Sequence, residues 1–111
     1  MRNPDPSCNP YLALAAMLTA GLDGIEKQLE PPTPRDENIY HMSMAEREAL
    51  GIRNLPGTLG EALQALRQDD LVYNALGEHV FENFVKAKQI EWEQYAMRVH
   101  PWETGKYLKS Y

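Results

Sequence analysis

The sequence predicts an all-α chain, and three observations carry that reading. Apolar residues recur at spacings of three and four over two long stretches. Helix-capping signatures stand in front of shorter segments between them. No stretch alternates apolar and polar residues as a half-buried strand would, although "RNPD" (residues 2–5) fits the frayed end of one.

The first helix is expected over residues 10–29. Asn9 is a suitable N-cap, and Pro10 stands at the first helical position, where its missing N–H costs nothing. Leu14, Leu18, Leu22, Ile25 and Leu29 form one apolar stripe. Leu12 to Leu18 contain no charged side chain, so this part should be covered on all sides. "EPPTPRDEN" (residues 30–38) is a proline-interrupted connection. Ser43 with Glu46 makes a capping box for a short helix ending near Leu50, with Gly51 as its stop. Thr58 with Glu61 makes a second box and opens a helix to about Arg67. Asp69 or Asp70 caps the next short helix, and Gly77 ends it.

The longest helix is expected from Glu78 to about Arg98. Phe81, Phe84, Val85, Trp92, Tyr95 and Val99 share one side of it, with Glu82, Lys86, Gln89 and Glu93 on the other. Lys88 falls in the apolar stripe, as a stem that lies on the core while its ammonium reaches water. His100–Pro101 breaks the helix. A short aromatic tail follows.

Composition bounds the function. A chain of 111 residues suits one small domain; at that size about 65% of the unfolded surface should be buried. The net charge of −5 speaks against nucleic acid, which needs a basic face. No apolar run reaches the ~18 residues of a membrane span, and no secretion signal is present. Cys8 is the only cysteine, which fits a reducing cytoplasm.

Chemistry is sparse. His41, His79 and His100 are far apart, and "EHVFE" lacks the second histidine of a zinc helix. No glycine-rich phosphate loop exists. Cys8 has no histidine near it in sequence and reads as a packing residue. Glu91 and Glu93 point to different helix faces. Trp92, Tyr95, Trp102, Tyr107 and Tyr111 suit core or subunit contact better than a ligand site.

Five segments nevertheless resemble one family: "R-x-PDPSCNPYLALAAMLTAGLDGI" (residues 2–25), "NIY" (38–40), "LPGTLGEAL" (55–63), "ALGEHVFENFVKAK" (75–88) and "VHPWE" (99–103). Together they resemble the final quarter of the bacterial and archaeal class of glutamine synthetases. The resemblance implies the helical C-terminal part of an α+β catalytic domain. Residues 1–8 would end a catalytic strand and loop, 9–30 form a core helix, 31–42 a proline-rich loop, 43–99 a helical region and 100–111 an aromatic tail.

That family makes glutamine from glutamate, ammonia and ATP through γ-glutamyl phosphate, with Mg2+ or Mn2+. The resemblance assigns Arg2 to the substrate and transferring phosphoryl group, a task that suits a permanently charged planar fork. The family's metal-binding glutamate two residues before this arginine has no counterpart here, because Met1 directly precedes Arg2. The other metal and nucleotide ligands belong to upstream sequence. The chain by itself is therefore expected to be inactive and to hold no cofactor.

Tyr40 matches the tyrosine that carries a regulatory adenylyl group in one branch. "IYHMS" departs from that branch and looks more like the one regulated by feedback inhibition and repressor binding, so an ordinary loop tyrosine is favoured. Trp102, Tyr107, Leu108 and Tyr111 would dock into the opposite ring of a double-ring homo-oligomer. The implied partners are the remainder of the synthetase and neighbouring subunits, with neither nucleic acid nor membrane. The competing expectation is a non-enzymatic module that docks on a full-length synthetase; a third is self-association through the apolar helix.

Overall fold

The computed structural model describes residues 5–108, and every regular element among them is helical. Helix α1 spans Pro10–Glu26. A 3₁₀ turn at Ile39–His41 follows the proline-rich connection. Then come α2 (Met44–Ala49), α3 (Leu59–Arg67), α4 (Asp70–Leu76), α5 (Glu78–Ala96) and α6 (Pro101–Tyr107).

The caps explain where the helices start. The Asn9 side chain accepts from the Tyr11 amide at 3.0 Å, and Asp69 accepts from the Val72 amide at 3.0 Å. At α2 the box is reciprocal: Ser43 Oγ accepts from the Glu46 amide and the Glu46 carboxylate from the Ser43 amide. The expected second box is only half formed. Thr58 Oγ1 accepts from the Glu61 amide, but the Glu61 carboxylate turns to the Gly57 amide instead, at 2.8 Å.

The helix ends hold two corrections. α1 stops at Glu26 rather than near Leu29. Gln28 takes the left-handed conformation at φ 50°. The Leu29 amide then donates to the Gly24 carbonyl and the Gln28 amide to the Ile25 carbonyl, the paired bonds that close a helix. Two prolines follow and forbid continuation. α2 ends by the same pair of bonds, with Gly51 at φ 69° in the left-handed position. Gly77 joins α4 to α5 at φ 74° and ψ 153°, a conformation open essentially to glycine alone. The second concerns the aromatic tail, for which no helix is assigned from sequence and in which α6 forms. Pro101 starts it, and the Glu103 carboxylate accepts from the His100 amide at 2.7 Å.

Packing centres on α3, α4 and α5, which contact one another, while α1 lies against α4. Leu63, Phe81 and Val85 form the core, and Leu59, Leu66, Tyr73, Leu76 and Trp92 close around them. Tyr73 meets Phe81 edge to face at 5.0 Å between ring centres. Lys88 behaves as its place in the stripe requires: its ammonium reaches the Glu91 carboxylate at 2.6 Å.

α2 and the turn before it are fastened locally. The Arg47 guanidinium donates twice to the Met42 carbonyl, at 2.9 and 3.2 Å, and once to the Asn54 side-chain oxygen at 3.1 Å.

This core is smaller than the length of the chain leads one to expect. Only three described residues are buried. The accessible surface is 9992 Å2, against about 6,200 Å2 for a closed monomer of this mass. The radius of gyration is 18.3 Å, against about 13 Å for a domain of this length. α1 contains no buried residue, so the covering expected on all its sides is not supplied by the described residues.

Candidate functional site

Arg2 lies outside the described residues, as does Tyr111. What is visible is the segment that joins Arg2 to α1. Asp5 accepts from the Ser7 amide at 2.8 Å and from the Ser7 hydroxyl, and the Cys8 amide donates to the Asp5 carbonyl at 3.0 Å. The Ser7 hydroxyl, and after it the Ser7 amide, hold the Asp5 carboxyl below the ordinary aspartate range. The turn ends directly on the Asn9 cap.

A cleft of about 530 Å3 opens between α1 and the α4–α5 pair. Leu12, Ala16, Leu66 and Phe84 make its apolar wall, and Cys8 and Lys88 stand among them. No histidine lines it. The three histidines sit on separate elements: His41 in the 3₁₀ turn, His79 in the first turn of α5 and His100 at the cap of α6. His79 and Asn83 interact within α5, and His100 lies 4.8 Å from the Tyr95 ring. Among the described residues no group of three or more His, Cys, Asp or Glu could hold a metal, and no helix is long and apolar enough to cross a membrane. A nucleophile with a base and an orienting partner is not assembled there.

Tyr40 stands on the 3₁₀ turn with 86% of its surface exposed. The Asn38 side chain accepts from its amide at 3.1 Å, and its ring meets His41 edge to face at 5.5 Å. At the other end, Trp102, Tyr107 and Leu108 are all exposed. Trp102 and Tyr107 meet edge to face at 6.2 Å, and the Lys106 ammonium lies 4.7 Å from the Trp102 ring centre. The tail aromatics thus contact each other within α6 and present their remaining surface outward.

The outward-facing side of α1 carries the apolar stripe that the sequence reading expected to be covered. Tyr11, Leu14, Leu18, Leu22 and Ile25 are exposed along one side of α1, while Leu12, Ala13 and Ala16 on the other side face α4. Sequence periodicity found the stripe and assigned it to the interior. The described residues leave it exposed.

The comparisons match this incompleteness. Residues 1–107 match the family described as "Glutamine synthetase, catalytic domain". The glutamine synthetase of Thermus thermophilus is 58% identical over all 111 residues, which cover 25% of that protein. That of Thermotoga maritima is 54% identical over 107 residues, 96% of this chain and 24% of the relative. That of Staphylococcus epidermidis is 51% identical over 111 residues, again 25% of the relative. The chain spans about a quarter of the length of the curated relatives it matches. An open helical layer with a half-covered first helix, matched along its whole length by those enzymes, belongs to the glutamine synthetase catalytic-domain family.

Proposed function

We propose that the chain is the C-terminal quarter of a glutamine synthetase, and that joined to the rest it serves the ATP-dependent synthesis of glutamine from glutamate and ammonia in a reducing cytoplasm. The observation that carries this is identity of 58% over every residue of the chain to a protein of that name. In the reaction, the glutamate side-chain carboxylate takes the terminal phosphoryl group of ATP, and ammonia then displaces phosphate from the acyl phosphate. Charge builds on the transferring group, and a fixed guanidinium is suited to hold two of its oxygens. Arg2 is the residue of this chain given that role. The described residues offer no set of metal ligands, so Mg2+ or Mn2+ and the nucleotide would be held by upstream residues.

The α3–α5 unit and α1 back the catalytic half of the domain. Trp102, Tyr107, Leu108 and Tyr111 supply a contact between rings of the assembled enzyme, a use that the exposure of Trp102, Tyr107 and Leu108 supports. Tyr40 takes no part in the chemistry. Its exposed position on a short turn is what an ordinary loop tyrosine shows.

The test is a chimera in which this chain replaces the final quarter of the Thermus thermophilus enzyme. It should form γ-glutamyl hydroxamate from glutamate, hydroxylamine and ATP with magnesium. Arg2→Ala should abolish turnover, and the 111-residue chain alone should give none. A correctly assembled chimera without turnover would sink the reading.

A further inference from the structure

Four restraints set the chain between residue 5 and the first turn of α1. The Asp5 carbonyl accepts from the Cys8 amide at 3.0 Å, which closes a four-residue turn. Pro6 stands at the second position of that turn, where a fixed φ suits it. The Asp5 carboxylate accepts from the Ser7 amide at 2.8 Å and from the Ser7 hydroxyl, both at Oδ1. Asn9 then accepts from the Tyr11 amide at 3.0 Å and from the Leu12 amide at 3.4 Å. The helix begins where the turn ends, and α1 itself lies against α4. Asp5 and Ser7 are exposed and take no part in the core, so their bonds fix direction rather than burial. Arg2 stands three positions upstream of Asp5, at most about 11 Å of chain away. A guanidinium that must meet two oxygens of a transferring phosphoryl group tolerates little displacement: an error of about 1 Å at a reacting group costs on the order of a hundredfold in rate.

We propose that Asp5 is a positioning residue for Arg2, and that its turn with Ser7 sets the line along which the guanidinium reaches the reacting group. The inference rests on the functional reading above, which gives Arg2 its role. Asp5 acts here as an acceptor of fixed geometry and not as a charge. The side-chain oxygen of asparagine takes the same two bonds without the charge. Glutamate keeps the charge but carries its oxygens one carbon further out, where the short ring to the Ser7 amide no longer closes.

The experiment uses the chimera with the Thermus thermophilus enzyme in the γ-glutamyl hydroxamate assay, well below its thermal midpoint. Asp5→Ala should lower kcat about tenfold or more. The KM for ATP should stay within about threefold of the parent's, and the particle size by light scattering should not change. That split marks an interaction made in the transition state, which a merely structural role would not produce. Asp5→Asn should bring kcat back to within about threefold of the parent, whereas Asp5→Glu should lose as much as Asp5→Ala. Parent-like kcat in Asp5→Ala overturns the proposal. So does any result in which Asp5→Glu turns over as fast as Asp5→Asn or faster, since the turn would then not be what matters. If Asp5→Ala fails to assemble, the contrast between Asp5→Asn and Asp5→Glu decides alone. An active parent with indifferent variants removes only this inference. An inert parent chimera removes the functional reading, and the inference with it.

Discussion

Gly60 on α3 lies against the indole of Trp92 on α5, where a Cβ at residue 60 would come 2.7 Å from the ring. The absence of a side chain is what lets the two helices approach. Alanine in a helix interior usually gains about 0.5–1 kcal/mol over glycine. Here overpacking against a rigid ring should reverse the sign, and Gly60→Ala should cost about 1–3 kcal/mol. Urea denaturation followed by Trp92 fluorescence, in a Trp102→Phe background, measures it. A midpoint at or above the parent's would mean that the ring moves aside freely.

Leu63 is 2% exposed and stands at the centre of the core with Phe81 and Val85. With so few buried side chains, none can be lost cheaply. Leu63→Ala should remove about 2–5 kcal/mol, enough to leave the α3–α5 unit without fixed packing. The tyrosine and tryptophan near-UV signals should collapse while much far-UV helix signal remains. Retention of near-UV structure would show that the core is held by other contacts.

Gln28 and Gly51 occupy equivalent left-handed positions after α1 and α2. Only glycine adopts that conformation without a steric penalty from Cβ. Gln28→Gly should therefore stabilise the end of α1, by about 1 kcal/mol. Slower hydrogen exchange at the Gln28 and Leu29 amides is the measurement, and faster exchange there would contradict it.

Glu46 is held below the ordinary glutamate range by the Ser43 hydrogen bonds, the side-chain bond first and the backbone bond after it. A depressed carboxyl pKa contributes stability that is present above the unfolded-state value and disappears as pH falls through the folded one. The Ser43 amide resonance should follow this titration, with a midpoint below that of an unstructured glutamate. In Glu46→Gln the acidic step at Ser43 should vanish. An unchanged step there would assign the titration to another group.

Starts of helices were legible because caps are local: Asn9, Ser43, Thr58 and Asp69 each bond an amide two or three residues ahead. The end of α1 was less so, since a left-handed glutamine carries no sequence mark as glycine does. α6 went unread although Pro101 and Glu103 stand where a first turn wants them, because the aromatic residues drew the segment toward a docking tail. The covered side of α1 was beyond periodicity altogether. A helix apolar on two sides gives no contrast by which to choose, and the choice was made by Val72 and Leu76, about sixty residues away. Of the candidate site, the three histidines, far apart in sequence, stand on separate elements of the fold. The family was legible in five short segments, whereas no described residue displays the chemistry itself.

The Arg47 clasp has a consequence in time. All its bonds join residues no more than seven positions apart, Met42 and Asn54 being the limits. Contacts so near in sequence close loops at little entropic cost and form on the microsecond scale or faster. The core contacts between Leu63 and Val85 span a longer stretch and must await the docking of α3 on α5. Residues 42–54 are thus placed to order early and independently, a pre-shaped piece waiting for a slower framework.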